Sequence, residues 1–311
     1  MNPTSDNAGG ESVLAIHSGA LGDVVLFGRL LACLGGRVTL VAGGQKARLL
    51  RDAGVAAGAI DFDSLPMHEI FTDEPLERCA LPGRLGRHGR LVSCFAGDDA
   101  RAAQRLAAMC SAATASMLPV RPPAGFRGHL LELWGDLLGV RIDLSAQAAW
   151  PVADAWRAQA REALRGAGID VGKPYLAIHP GSGGREKCWP LDRFRELARR
   201  AGGQCLFLLG PAECDRWPVR EIESLGREFP TLANPSLDAL AGVLAGAAAY
   251  AGNDSGVSHL AAAVGTRTLA LFGPSRADHF APVGPAVTVL ARDRFETLAV
   301  SDVLSALETL R

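Results

Sequence analysis

Short β-rich apolar runs alternate with longer helical patterns along nearly the whole chain, and this alternation constrains the fold more than any other feature. The apolar runs fall at 12–17, 38–42, 90–95, 174–179, 204–209, 267–272 and 286–291. Helical candidates lie between them at 23–34, 45–53, 99–110, 127–139, 155–166, 191–201, 212–225, 237–246 and 256–264. Strand, helix, strand repeated predicts an α/β chain of parallel sheets covered by helices on both faces. Strands buried on both sides need not alternate apolar and polar residues, which fits these unbroken runs. One sheet carrying all of them is too wide for a single core, and 311 residues is about twice the usual domain length of roughly 150. A break therefore belongs around Trp150-Pro151 and the stretch from Gly166 to Pro174, where the pattern restarts with a fresh strand. Domains of 1–155 and 156–311 are expected, each Rossmann-like, and the last helix is a candidate for packing back on the first.

Composition narrows the function classes. Hydrophobic residues at 48% and charged residues at 21% describe a folded, globular chain. A net charge of −1 supplies no field for a polyanion, so nucleic acid is not an expected partner and any anion must be met locally. The seven cysteines form no C-x-x-C pair and lie near no histidine at zinc spacing, which argues against a disulfide framework and a metal site. The first eleven residues lack the basic and apolar regions of a signal peptide, and no apolar run reaches the roughly 18 residues of a membrane span. A cytoplasmic location follows as the expectation. Lys46, Lys173 and Lys187 are the only lysines among 32 basic residues, so each resists the chain's preference for arginine.

In parallel α/β sheets ligands sit beyond the carboxyl ends of strands, and three loops there stand out. The first, His17-Ser-Gly-Ala-Leu-Gly22-Asp23, opens a helix but is not a G-x-G-x-x-G dinucleotide fingerprint, because Gly19 and Gly22 are three apart and no third glycine follows. Gly19 and Gly22 permit close approach, and Asp23 either caps the helix or serves a cleft. The second loop runs from His179 to Pro190. Gly181, Ser182, Gly183 and Gly184 expose successive amides as an anion-binding concavity, with Lys187 as a point charge, or else form a flexible connection. The third is Gly252-Asn-Asp254-Ser255-Gly256-Val-Ser-His259. Ser255 is a good N-cap for the following helix, whose free N–H groups and positive dipole end suit a diphosphate. Asp254 would then serve sugar hydroxyls, because like charges repel. His259 lies one turn in on the same face, as a ligand or as a structural histidine. Glu213, following the strand at 204–209, is either a ribose acceptor or an ordinary first-turn acid.

Taken together the loops resemble glycosyltransferase family 9, the ADP-heptose:lipopolysaccharide heptosyltransferases. The resemblance rests on Gly-Ala-Leu-Gly-Asp-Val at 19–24, His-Pro-Gly-Ser-Gly-Gly-Arg at 179–185 with Lys-Cys-Trp-Pro at 187–190, and Asn-Asp-Ser-Gly-Val-Ser-His-Leu-Ala-Ala-Ala at 253–263 with Leu-Phe-Gly-Pro at 271–274. It implies a GT-B fold, two Rossmann-like domains facing across a cleft, the first for the acceptor and the second for the nucleotide sugar. It also implies inverting transfer without a metal or other cofactor, from a donor such as ADP-L-glycero-D-manno-heptose to a lipopolysaccharide core or other glycan. Residue by residue it implies a catalytic base at Asp23 and phosphate contacts at Lys187, Ser255 and Gly256. It further implies a sugar contact at Asp254, a ribose contact at Glu213, and an adenine edge at Asn234, Pro235 and Ser236.

His17 stands where the family more often has Arg or Lys, and with Gly22 it borders the acceptor side. The segment 78–90 packs four arginines and one histidine with no acid, so Arg84 and Arg87 are candidates for a phosphorylated acceptor or an anionic membrane face, the latter giving peripheral attachment at the inner membrane. Two other readings keep the residues but not the transfer: a nucleotide-sugar epimerase or hydrolase of the same fold, and a non-catalytic nucleotide-sugar-binding module.

Overall fold

The computed structural model describes residues 11–310, so the polar chain start at 1–10 lies outside the described residues. The chain forms two compact units. One gathers the chain up to Gly19, Phe27–Ala124 and Leu133–Ile142, and the other gathers Ala20–Leu26, Gly125–Glu132 and the chain from Asp143 onward.

The elements of the first half, in chain order, are β1 (Ser12–Ile16), α1 (Leu21–Leu31), β2 (Arg37–Ala42), α2 (Lys46–Asp52), β3 (Gly58–Asp61), α3 (Leu81–Leu85), β4 (Arg90–Ser93), α4 (Ala100–Met109), β5 (Thr114–Met117) and α5 (Leu130–Leu138). Their strands form one parallel sheet in the order β3-β2-β1-β4-β5. Leu14, Ile16, Val41 and Leu91 from its centre meet Leu81, Leu106 and Met109 in one buried cluster. Asp99 starts α4 by accepting the N–H groups of Arg101 and Ala102.

The second half carries α6 (Asp154–Gly166), β6 (Tyr175–His179), α7 (Leu191–Ala201), β7 (Gln204–Leu209), α8 (Pro211–Arg216), α9 (Val219–Glu228), β8 (Thr231–Ala233), α10 (Leu237–Gly246), β9 (Ala249–Asn253), α11 (Gly256–Ala263), β10 (Thr268–Phe272), α12 (Ala277–Phe280), β11 (Val287–Ala291) and α13 (Val300–Thr309). Its parallel sheet has the order β11-β10-β9-β6-β7-β8. Read from β8, that is the doubly wound nucleotide-binding order. Val300, Val303 and Leu307 bury α13 beside Leu197 of α7.

Three differences from the sequence reading have physical causes. The helix expected over 212–225 is two helices, because Pro218 cannot continue α8 and instead precedes the first turn of α9. Strands β3, β5 and β8 are sheet edges, half exposed, and so lack the apolar runs that mark buried strands. The arginine-rich stretch 78–90, where no helical candidate falls, carries α3, because Leu81 and Leu85 bury that turn against the first core.

Strand order reverses between β1 and β4 in one sheet and between β6 and β9 in the other. Loops at such switch points open outward from the carboxyl ends and leave room for a ligand. The loop after β1 is the first one singled out above, and the loops after β6 and β9 are the second and third.

Candidate functional site

The second unit builds one constellation from these loops. Asn253, fully buried at the end of β9, accepts the N–H of Trp189 at 2.9 Å and donates to the carbonyl of Pro180 at 2.8 Å. Ser182 Oγ donates to the carbonyl of Asp254 at 2.6 Å. These bonds fasten the glycine-rich loop after β6 to the start of α11. Lys187 closes the same loop, its Nζ 3.0 Å from Asp254 Oδ2.

Ser255 stands at the N-cap position of α11, but its hydroxyl does not cap, contrary to the expectation. It lies instead 3.2 Å from His179 Nδ1 and 3.4 Å from Ser258 Oγ. The N–H groups of Gly256 and Val257 consequently have no partner among the described residues, which leaves a helix start with open donors and the positive dipole end.

Glu213, in the first turn of α8, is buried. Its Oε2 accepts the Gly210 N–H at 2.8 Å and lies 3.3 Å from His179 Nε2. Burial pushes its carboxyl up, yet the hydrogen bond from His179, the charge of that ring and the Gly210 amide outweigh it and hold the group below the usual range. Gly181 must be glycine, since a Cβ there would collide with the Glu213 carboxylate. His179 thus joins Glu213 to Ser255, a link that sequence reasoning passed over, although the residue opens the second loop. Burial, with Glu213 and Glu186 nearby, pushes the Cys188 thiol up to about 11. Beyond β8, Asn234 takes the left-handed conformation at φ 48° with its N–H on Leu209 O, Pro235 is half buried, and Ser236 caps α10 through the Ala239 N–H. These residues therefore lie one strand over from Glu213.

The first turn of α1 belongs to the same unit and lies against α11. A Cβ on Gly22 would sit 2.9 Å from His259 Cδ2 and 3.3 Å from Gly256 Cα, and a Cβ on Gly256 would sit 2.9 Å from Gly22 N. Only glycines allow the two backbones this close. Asp23, the next residue, is half buried and spends Oδ2 on the Ala20 N–H at 3.0 Å.

His259 is 5% exposed, and its Nδ1 is buried without a partner. Burial, reinforced by His129 and opposed by Asp254 and Asp23, pulls the imidazole down to about 4, so it is neutral at pH 7. An orphaned N–H is harder to tolerate than an orphaned acceptor, so the proton sits on Nε2, on the edge facing Gly22.

His17 is brought elsewhere. It is buried between Phe27 at 5.3 Å and Trp134 at 6.2 Å, and its Nδ1 accepts the Gly19 N–H at 2.9 Å. Arg84 and Arg87 are exposed in the first unit, Arg84 reaching Ser64 at 3.4–3.5 Å. Lys46, which the sequence reading left without a role, donates to Gly19 O at 2.8 Å. Among the described residues no three His, Cys, Asp or Glu side chains are placed to hold a metal, and no helix is long and apolar enough to cross a membrane.

The model of glycosyltransferase family 9 (heptosyltransferase) matches residues 97–305, about two thirds of the chain. The chain belongs to glycosyltransferase family 9. Lipopolysaccharide heptosyltransferase 1 of Pseudomonas aeruginosa is 39% identical over 123 residues, which is 35% of this chain and 31% of that protein. The match therefore spans under a third of that curated relative's length. Among solved structures, the family 9 glycosyl transferase of Veillonella parvula aligns at a TM-score of 0.72 and 18% identity, covering 96% of this chain and 97% of that one. The Escherichia coli ADP-heptose lipopolysaccharide heptosyltransferase II aligns at 0.71 and 17%, covering 96% and 98%. The GT-B type of fold expected of a family 9 chain is thus the fold this chain shares.

Proposed function

We propose that this family 9 chain is an inverting glycosyltransferase that moves a heptose from an ADP-sugar, ADP-L-glycero-D-manno-heptose, onto a lipopolysaccharide core or related glycan. One observation carries the reading: the close approach of Gly22 and Gly256 brings the turn that carries Asp23 against the start of α11, with Asp254 just before that helix and its ion-pair partner Lys187 on the loop after β6.

In this reading the free oxygen of Asp23 takes the proton of the acceptor hydroxyl as its oxygen attacks the anomeric carbon. The new C–O bond forms on the face opposite the diphosphate. The old C–O bond breaks, and ADP leaves with the electron pair. A positioned general base of this kind contributes about 10²- to 10⁴-fold. The charge growing on the diphosphate falls to the amides of Gly181, Gly183 and Gly256, to Ser182 and Ser255, and to Lys187, so the step requires no metal. Preorganised donors are worth about 10²- to 10³-fold each in comparable sites. Asp254 and the His259 Nε2–H bind the donor sugar, Glu213 the ribose, and Asn234 to Ser236 the adenine edge. Arg84 and Arg87 receive anionic groups of the acceptor.

The test is ADP release from ADP-heptose with and without deacylated lipopolysaccharide oligosaccharide. Release that depends on the oligosaccharide is expected. Equal release without it would assign a hydrolase, and binding of ADP-heptose with no release would assign a binding module.

A further inference from the structure

At the carboxyl end of the first sheet three phenylalanines from different segments meet. Phe62 follows β3, Phe95 follows β4, and Phe71 ends a short 3-10 turn, Met67–Phe71. The Phe62 and Phe95 rings are 5.0 Å apart at 80°, and those of Phe71 and Phe95 are 6.3 Å apart at 77°. Phe62 and Phe95 rest on the buried cluster of the first unit, whereas Phe71 is 57% exposed.

Scattered exposed apolar residues need no explanation, but this one sits on a clamped backbone. The Glu69 carboxylate accepts the N–H groups of Ala80 at 3.0 Å and Leu81 at 2.8 Å, and Arg105 Nε donates to Glu69 O at 2.9 Å. Those two amide bonds also hold the Glu69 carboxyl below its usual range. The next residue after Phe95, Ala96, has φ 63°, a strained backbone for a residue with a Cβ, and such strain gathers at working sites. Phe95 also lies at a switch point, because β4 pairs with β1 and Cys94 N–H bonds Ile16 O at 2.9 Å. Polar residues flank Phe62 in the chain. Asp61 and Asp63, both exposed, each accept the Gly44 N–H through one oxygen, and Arg84 reaches Ser64 two residues beyond Phe62.

A rigid aromatic face with hydrogen-bonding groups and a cation at its edge fits a sugar ring, whose C–H face is apolar and whose rim carries hydroxyl or anionic groups. We propose that Phe71, seated on Phe95 and Phe62, is a stacking platform for a pyranose ring of the acceptor glycan. The proposal rests on the transferase reading for the identity of its ligand. A lipid surface would equally contact an exposed phenylalanine, but the exposed Asp61 and Asp63, on either side of Phe62 in the chain, oppose an anionic membrane.

Binding of deacylated lipopolysaccharide oligosaccharide and of ADP is measured on the whole chain for wild type, Phe71→Ala and Phe71→Trp. Phe71→Ala is expected to raise the oligosaccharide Kd about tenfold or more and to leave the ADP Kd unchanged, with Phe71→Trp restoring oligosaccharide affinity. An unchanged oligosaccharide Kd in Phe71→Ala overturns the proposal, as does a wild type that fails to bind the oligosaccharide at millimolar concentration. So does loss of binding to phosphatidylglycerol vesicles with oligosaccharide binding intact, which would make the patch a membrane contact. If wild type binds the oligosaccharide through Phe71 but never consumes ADP-heptose in its presence, the transferase reading fails and the platform stands.

Discussion

Lys187 Nζ and Asp254 Oδ2 form an ion pair at 3.0 Å across the two loops that flank the switch point of the second sheet. The aspartate is nearly buried and the lysine half exposed, so the lysine is the partner free to swing toward an incoming anion. If Lys187 receives the donor phosphate as proposed, that phosphate must compete with Asp254 for it. Lys187→Ala is expected to weaken ADP binding about 10- to 100-fold, the loss of one charge-assisted bond. Asp254→Asn is expected to tighten ADP, because the competing charge is gone, while slowing transfer. Calorimetric ADP titration of both variants checks the opposite signs. Weaker ADP binding in Asp254→Asn would show that the aspartate holds Lys187 in its working position.

The proposed transfer gives Asp23 a second duty beside its helix-start bond, and one substitution separates the two. Its Oδ2 accepts the Ala20 N–H, and an asparagine retains an oxygen able to do so. Asp23→Asn should keep the start of α1, hold the ADP Kd within about twofold and lose about 10²- to 10⁴-fold in kcat. Asp23→Ala should lose the same turnover and about 1 kcal/mol of stability besides, the usual cost of a lost helix-start bond. Near-normal kcat in Asp23→Asn removes the residue as the base.

The loops that build the site were legible because glycine, aspartate, serine and lysine at strand ends have few purposes other than close approach, capping or anion contact. What stayed hidden was which side chains neutralise one another. Nothing in the spacing says that the Ser255 hydroxyl turns away from its own helix toward His179, since that depends on a histidine 76 residues earlier. The burial of His17, an acceptor-side candidate in the sequence, was hidden for a similar reason: Phe27 of the neighbouring α1 and the distant Trp134 of α5 both close over it. The buried strands announced themselves by composition, whereas Gly58–Asp61 and Thr114–Met117 did not, because an edge strand needs apolar residues on only part of its surface.

His259 makes the second unit acid-sensitive. Its folded value lies near 4 against an ordinary 6.5, so between those limits the unfolded chain binds a proton that the folded one refuses. Stability is then full above about pH 6.5 and falls as pH drops toward 4, by about 3 kcal/mol at the limit. His129, likewise held down by burial, adds in the same direction. Urea unfolding at pH 7 and pH 5 should show wild type losing about 2 kcal/mol more than His259→Phe. Equal losses would mean that the ring is charged or solvated in the fold.

Two glycines on helices test whether close backbone contact serves the fold or the site. In α10, a Cβ on Gly242 would strike the Trp156 carbonyl of α6, so Gly242→Ala forces apart two helices that pack along their length. That overpacking should cost about 1–3 kcal/mol, seen as a lowered Tm, with kcat per folded molecule unchanged. Gly256 has no positive φ, so Gly256→Ala would ordinarily stabilise the first turn of α11 by roughly 0.5–1 kcal/mol. Its Cβ, however, would lie 2.8 Å from Leu21 Cβ and 2.9 Å from Gly22 N, and backbone cannot rotate out of the way. The strain must move the turn that carries Asp23. Gly256→Ala is therefore expected to hold its Tm within a few degrees while kcat falls at least about tenfold, since a misplacement near 1 Å suffices for that. A Tm loss as large as that of Gly242→Ala with normal kcat would make the Gly22–Gly256 contact a packing device only.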